Sequence, residues 1–85
     1  MKIIRNNRQG KMYYKNGDYY NGDWVDDRRE GMGVMFYNDT KEVYEGEWMG
    51  DARCGTGKLT LSNGQIIESQ WRNNKAQGEG KLIQE

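Results

Sequence analysis

A five-residue phrase ending in tryptophan returns three times in this chain. It is "YNGDW" at residues 20–24, "YEGEW" at residues 44–48 and "IESQW" at residues 67–71, so that the tryptophans stand 24 and then 23 residues apart. A second phrase, two glycines separated by one residue, begins seven residues after each tryptophan, at Gly31, Gly55 and Gly78. Two markers in one register indicate an internal repeat, which restricts the fold to stacked copies of one small unit.

Each unit has the alternation of β-strands. Side chains alternate between the two faces of a strand, so Tyr44, Gly46 and Trp48 share a face, as do Gly55, Gly57 and Leu59 on the next strand. No stretch has the i, i+3, i+4 apolar spacing of a helix. The sequence therefore predicts an all-β fold of consecutive antiparallel hairpins, each of which is marginal alone and is stabilised by stacking on the next.

Turn signals fall between the predicted strands. Within the units, the second and third positions after each tryptophan hold residues that tolerate positive φ: Asp26-Asp27, Gly50-Asp51 and Asn73-Asn74. Between the units stand Asn16-Gly17 and Asn63-Gly64. The middle link, Asn38-Asp39-Thr40-Lys41, is one residue longer, which accounts for the spacing of 24 and places the insertion in a turn.

The repeated aromatic residues and glycines are predicted to be structural. A tryptophan on one strand can cover the bare backbone of a glycine on its neighbour, and burial of most of an indole contributes on the order of 5 kcal/mol before the entropy cost. The residues assigned this role are Tyr20, Gly22, Trp24, Gly31, Gly33, Tyr44, Gly46, Trp48, Gly55, Gly57, Trp71, Gly78 and Gly80.

At these residues the chain resembles the membrane occupation and recognition nexus (MORN) repeat family, whose pattern is Y-x-G-x-W, a short link and G-x-G. Two copies match fully, while the third has Ile67 for the aromatic residue and Ser69 for the glycine. The resemblance covers about residues 8–83 and predicts a repeat domain at 8–85, with units at about 18–40, 42–64 and 65–83 and a partial unit at 8–17. Residues 1–7 are then an N-terminal strand or tail.

The resemblance implies a solenoid of hairpins in a single open, twisted sheet that rolls into a shallow trough. It also implies a scaffold or adaptor that docks partner proteins, in cytoskeletal organisers among others, and that often dimerises. MORN arrays stand beside catalytic domains without supplying their catalytic residues. The expected partner is therefore a protein, such as an amphipathic helix, or a second copy of the chain.

The residue inventory contains no arrangement typical of an enzyme. The chain has no histidine and a single cysteine, Cys54, so it lacks both an activating base for a nucleophile and a zinc ligand set. Glu45 and Glu47 flank Gly46 and are expected to be a solvated pair. We therefore expect no catalytic activity, no cofactor and no metal ion.

Aromatic residues beyond those of the repeat are the candidates for partner binding. Tyr13 and Phe36 point away from Met12 and Met35 in the strand alternation, so some of the extra rings should be exposed. The candidate partner-binding residues are Tyr13, Tyr14, Phe36 and Tyr37. Their alternative role is to broaden a thin core.

A second hypothesis is a peripheral membrane module that binds anionic phospholipid headgroups. Residues 1–17 carry a charge of +5, from Lys2, Arg5, Arg8, Lys11 and Lys15, whereas residues 18–51 carry −7. The acidic middle argues against nucleic-acid binding, for which a basic stripe is typical. It also weakens the membrane hypothesis. With no apolar run near the roughly 20 residues of a membrane span and with a lone cysteine, a cytoplasmic location is expected.

Overall fold

The computed structural model describes the backbone of residues 3–6 and 8–83 and the side-chain surroundings of residues 8–77. Eight strands form one antiparallel sheet in which every strand pairs with its neighbours in sequence. No helix occurs among the described residues, so the prediction of consecutive hairpins in one open sheet is confirmed. The strands are β1 (Ile3–Asn6), β2 (Gln9–Tyr13), β3 (Tyr19–Val25), β4 (Arg28–Tyr37), β5 (Glu42–Met49), β6 (Ala52–Thr60), β7 (Ile66–Arg72) and β8 (Lys75–Ile83).

The turns within the units adopt the predicted positive φ angles. Both central residues of each turn have positive φ, which matches the right-handed twist of the flanking strands: Asp26 (51°) and Asp27 (62°), Gly50 (56°) and Asp51 (69°), and Asn73 (48°) and Asn74 (70°). Between the units, Gly17 and Gly64 have φ near 90°. In the longer middle link this left-handed position is taken by Lys41, with φ 61°.

The sheet has two different faces. On one, which we call the aromatic face, lie all the buried apolar side chains of the described residues: Met12, Tyr20, Trp24, Met35, Tyr44, Trp48 and Trp71. The intervening residues point to the other side, which we call the open face. The core is thus a single layer of side chains on one side of the sheet.

Glycines form a row across the sheet. The strand register aligns Gly10, Gly22, Gly33, Gly46 and Gly57, one from each of β2 to β6, and Ser69 continues the row on β7. A parallel row two residues away holds the buried residues Met12, Tyr20, Met35 and Tyr44. Adjacent hairpins therefore place equivalent residues side by side.

An irregularity in each full unit is stabilised by an acidic side chain. The step of two positions from Gly22 to Trp24 on β3 is opposite a step of four positions on β4, and the same shift occurs between β5 and β6. Asp23 accepts a hydrogen bond from the backbone N–H of Met32 at 3.0 Å, and Glu47 accepts one from Thr56 at 2.6 Å. These carboxylates bond N–H groups that the shifted ladder leaves available. Glu47 is exposed, as expected, and is in addition a structural acceptor.

Candidate functional site

The aromatic face is built from tyrosines that lie over glycines. A Cβ placed on Gly33 would meet the ring of Tyr20 before any other atom, and a Cβ on Gly57 would meet the ring of Tyr44. Each tyrosine hydroxyl then donates to a backbone carbonyl, Tyr20 to Asp23 at 3.0 Å and Tyr44 to Glu47 at 3.1 Å. The glycines are thus required because a side chain there would occupy the space of the phenol.

This arrangement corrects the prediction that the tryptophan ring covers the glycine. The indoles instead contact glycine through a hydrogen bond, in which Nε1–H donates to a carbonyl on the preceding hairpin. The three bonds are Trp24 to Gly10 at 3.0 Å, Trp48 to Gly33 at 3.1 Å and Trp71 to Gly57 at 3.1 Å. Because the tyrosine ring lies directly over the glycine, the indole packs beside that ring, with the two ring planes nearly perpendicular.

Tyrosines and tryptophans alternate in one continuous chain of ring contacts. Tyr20 contacts Trp24 in its own strand and Trp48 two strands away, and Tyr44 does the same with Trp48 and Trp71. The ring centroids are 5.0 to 5.4 Å apart and the planes are nearly perpendicular. Such edge contacts contribute about 0.5–1.5 kcal/mol each beyond area burial. The contacts across β4 are possible because its glycines leave room above the backbone.

An arginine joins each of the first two full units to the next. Arg29 donates from its backbone N–H and from Nε to Asp51 Oδ1, at 2.8 and 3.1 Å, and its guanidinium lies 4.9 Å from the Trp48 ring. Arg53 has the equivalent position: its backbone N–H donates to Asn74 Oδ1 at 2.8 Å, and its guanidinium lies 4.7 Å from the Trp71 ring. Each arginine thus connects two hairpins through hydrogen bonds and a cation–π contact.

The two arginine sites differ in one acceptor. Asp51 supplies a carboxylate oxygen to Arg29 Nε, whereas Arg53 Nε is buried without a hydrogen-bond partner among the described residues. The alternation of side chains along the strands does not reveal these residues. Their signal is positional, because both arginines stand five residues after a tryptophan and both acceptors stand three after one.

The open face carries the exposed apolar side chains. Among the described residues, four large hydrophobic side chains are exposed and the strand alternation places all of them on this face: Tyr13 (58%), Val25 (40%), Met32 (57%) and Met49 (67%). A shallow groove of about 600 Å³ crosses the same face, lined in part by Met32, Val34 and Glu45. This face therefore has the apolar, accessible character of a contact surface.

The MORN repeat family model matches residues 7–19, 20–40, 44–66 and 68–84, which are four repeats. The chain belongs to the MORN repeat family. A search of curated protein sequences gives no significant match. MORN repeats are a non-catalytic family of protein or membrane interaction modules.

The last MORN repeat departs from the pattern in a coordinated way. Ile67 lacks the tyrosine hydroxyl, and the carbonyl that this hydroxyl would bond, that of Gln70, accepts from Ser69 Oγ at 3.2 Å. The pairing with β8 is irregular between Glu68 and Gln70, one residue earlier than in the other repeats. Ala76 stands at the position of the arginine. Gly78 and Gly80 lie in β8, outside the residues whose surroundings are described.

The four candidate partner-binding residues are divided between the two faces. Tyr13 and Phe36 lie on the open face, and Tyr13 is well exposed. Tyr14 and Tyr37 are half-buried and pack against the aromatic core. Burial raises the pKa of both phenols, partly opposed by the nearby arginines. Tyr14 also lies 5.9 Å from the Arg29 guanidinium, so these two rings broaden the core, as the alternative interpretation expected.

The basic residues of the N-terminal region do not form one compact patch. Arg8, Lys11 and Lys15 are exposed, but they stand just before, within and just after β2, so they are distributed along a whole strand. Lys2 and the side chain of Arg5 lie outside the described residues. A membrane or polyanion would meet these three positions as a line, not as a pocket.

The remaining groups with possible reactivity are the Cys54 thiol and the acidic side chains. Burial, followed by the carboxylates of Glu47 and Glu30, raises the pKa of the Cys54 thiol, which disfavours the nucleophilic thiolate. In the part of the chain that is described, no three metal-binding side chains are grouped to hold an ion. A search of the same part finds no helix suited to crossing a membrane.

Proposed function

We propose that this chain is a non-enzymatic scaffold module that binds protein through its open face. The observation that carries the proposal is the location of the four exposed apolar side chains, all on one face. The buried rings of the aromatic face already contact one another, and the hydroxyls of Tyr20 and Tyr44 and the three indole N–H groups donate hydrogen bonds within the chain. Among the described residues, all the large exposed apolar side chains are therefore offered to a partner on the open face.

The chemistry of the open face suits a protein partner. Met32 and Met49 are flexible and adapt to irregular surfaces, while Tyr13 offers a rigid ring with a polar end. Charged residues lie between them, and Glu45 and Lys58 form an ion pair with N···O 3.7 Å. An apolar centre with a mixed polar surround is typical of protein interfaces.

The alternative is a peripheral membrane module, which the exposure of Arg8, Lys11 and Lys15 supports. Each basic residue near an anionic surface contributes about 1 kcal/mol, so three give weak binding. The acids of residues 18–51 oppose it. We favour the protein partner, and we place the module in the cytoplasm, where its single cysteine stays reduced.

The test is capture of partners from cell lysate by the immobilised chain, followed by mass spectrometry, with Met32→Glu and Met49→Glu as open-face variants. Ser62→Glu, in an exposed turn between units, is the matched charge control. We expect both open-face variants to lose the captured protein and the control to retain it. Capture that survives both variants contradicts the proposal. Salt-sensitive sedimentation with anionic vesicles that is lost in Lys11→Glu supports the membrane alternative instead.

A further inference from the structure

The methionines of this chain are divided between the two faces of the sheet. Four of them lie among the residues whose side-chain surroundings are described. Met12 and Met35 are buried on the aromatic face, with exposed fractions of 9% and 2%, whereas Met32 and Met49 are exposed on the open face, with fractions of 57% and 67%. The same thioether group is therefore shielded from solvent in one pair and accessible in the other.

The two exposed methionines are neighbours on the open face. Met32 on β4 pairs with Glu47 on β5, and Met49 stands two residues after Glu47 on the same side of β5. Diagonal positions of this kind are about 7–8 Å apart, within reach of long side chains. Met32 also lines the groove of about 600 Å³, beside Val34. The pair supplies two of the four exposed apolar side chains on which the proposed function depends.

We propose that Met32 and Met49 are a modification site, at which a peroxide converts both thioethers to sulfoxides and thereby closes the open face to its protein partner. The inference rests on the proposed function and states how that binding is regulated. Oxidation to the sulfoxide turns a flexible apolar side chain into a polar one and disrupts interfaces that methionine builds. The exposed pair is therefore both the contact surface and the group that responds to the oxidant.

The reaction is the transfer of one oxygen atom. A lone pair of the methionine sulfur attacks one oxygen of hydrogen peroxide and the O–O bond breaks. The attacked oxygen passes its proton to the leaving hydroxide, which departs as water, so that the sulfur loses two electrons and the peroxide gains them. Methionine sulfoxide reductases reverse the change. They take two electrons from a pair of thiols, which become a disulfide, and the sulfoxide oxygen leaves as water.

The fold protects the methionines on which its own stability depends. Met35 pairs with Tyr20 on one side and with Tyr44 on the other, and both tyrosines are fully buried. A peroxide reaches the Met35 sulfur only after a local opening of the sheet, so we expect oxidation there to be about tenfold slower or more. Oxidation therefore alters the open face and leaves the aromatic face intact.

The surroundings of Met32 offer no donor to a sulfoxide oxygen. Asp23 accepts a hydrogen bond from the backbone N–H of Met32, and Glu47 stands opposite it on β5. An ionised carboxylate accepts hydrogen bonds and donates none. A sulfoxide covered by an apolar partner would then be buried without a hydrogen bond, which is expected to raise the dissociation constant of that partner about tenfold or more.

Peptide mapping by mass spectrometry, after the chain has been exposed to hydrogen peroxide, tests the selectivity. We expect the mass of one added oxygen to appear first at Met32 and Met49, and about tenfold more slowly at Met12 and Met35. Retention on a phenyl column measures the apolar character of the open face without any partner. The oxidised chain should elute earlier with unchanged tryptophan fluorescence, and treatment with methionine sulfoxide reductases should restore its retention.

The matched variant replaces both exposed methionines by leucine. Met32→Leu with Met49→Leu keeps the face apolar but removes the sulfur atoms, so its column retention and its capture of protein from lysate should not respond to peroxide. Met35→Leu is the control, because it conserves volume in the core and leaves the exposed sulfur atoms in place. This control should lose retention and capture after peroxide treatment, as the original chain does.

Three results would overturn the inference: similar oxidation rates at buried and exposed methionines, a double leucine variant that still responds to peroxide, or an oxidised chain that captures as much protein as the reduced one. Capture that is lost in Met32→Glu and Met49→Glu but survives oxidation rejects the modification site and leaves the proposed function standing. Capture that ignores both the glutamate variants and oxidation rejects both.

Discussion

The ring of Tyr44 on β5 occupies the space beside Gly57 on β6 that any other residue would fill with a side chain. The same relationship joins Tyr20 to Gly33 one repeat earlier. Each pair also fixes a tryptophan, because the indole of the following strand packs on the tyrosine and bonds the glycine carbonyl. Each repeat is thus built on a structural motif of one tyrosine, one glycine and one tryptophan, which come from three successive strands.

The first prediction concerns this glycine. Gly57→Ala forces the Tyr44 ring to move, and since the ring is fully buried and its hydroxyl is bonded to Glu47, we expect a loss of about 2–3 kcal/mol in unfolding free energy. Urea unfolding followed by tryptophan fluorescence measures it.

The matched control is a glycine in a turn. Gly50 has φ 56° and open space where a Cβ would stand, and Asp26 and Asn73 occupy the equivalent position in the other turns. Gly50→Asn should leave stability unchanged or raise it by about 0.5 kcal/mol. Equal losses for Gly57→Ala and Gly50→Asn would contradict the role assigned to the tyrosine.

The second prediction uses the unsatisfied Arg53 Nε. Asn74→Asp places a carboxylate where Asp51 already serves Arg29, so it should stabilise the fold by about 1 kcal/mol at neutral pH. The reciprocal change, Asp51→Asn, should destabilise it by a similar amount. Melting temperatures of the two variants decide the matter, and a shift of the same sign in both would refute the proposed difference between the sites.

The third prediction separates two adjacent tyrosines. Tyr14 packs on the core and on Arg29, whereas Tyr13 is exposed on the open face. Tyr14→Ala should lower the unfolding free energy by about 2 kcal/mol through lost packing. Tyr13→Ala should change it by less than about 0.5 kcal/mol, as surface substitutions usually do. If Tyr13→Ala were the more destabilising, the assignment of faces would be wrong.

The fourth prediction is alkaline unfolding. Burial raises the pKa of Tyr44 to about 12 and also raises that of Tyr20 above its ordinary 10.0. Above pH 10 the unfolded chain releases these protons while the folded chain keeps them, so the stabilising contribution is complete below pH 10 and is lost as the pH rises towards 12. We expect the melting temperature to fall steeply over that interval.

Tyr44→Phe is the control for the pH effect. It removes the titrating group, so its melting temperature should depend less on pH between 10 and 12, although loss of the bond to Glu47 lowers stability by about 1 kcal/mol at neutral pH. Absorbance at 295 nm follows tyrosine ionisation in the same samples. An unchanged pH dependence in Tyr44→Phe would argue against the buried phenol as its cause.

The repeat spacing was sufficient to predict the hairpins and their turns. Period-two alternation assigns each residue to a face of the sheet. Aspartate and asparagine in the turns, such as Asp26 and Asn73, predict a positive φ angle because few other residue types adopt it. Alternation does not say which of two rings on one face reaches the next strand. For that reason the sequence predicted a tryptophan over the glycine, where the structure has a tyrosine, Tyr20 over Gly33 and Tyr44 over Gly57.

The candidate site was only partly predictable for a related reason. Tyr13 and Tyr14 are neighbours in sequence but lie at the end of a strand, where the chain enters a turn and Tyr14 folds back over Arg29. The arginine contacts join residues about twenty positions apart through backbone carbonyls and side-chain oxygens. No local pattern encodes such bonds, and comparison of the repeats is the one sequence signal that could have found them.

The most direct measurement of the division between a structural face and a binding face is a two-dimensional ¹H–¹⁵N NMR spectrum of the chain recorded while a protein that it captures from lysate is added. The chain has three tryptophans, whose indole N–H signals report on the aromatic face, while the amides of Met32, Val34 and Glu45 report on the open face. We predict that the amide signals shift as the captured protein is added and that the three indole signals stay fixed. Indole signals that shift while the open-face amides remain unchanged would contradict the account.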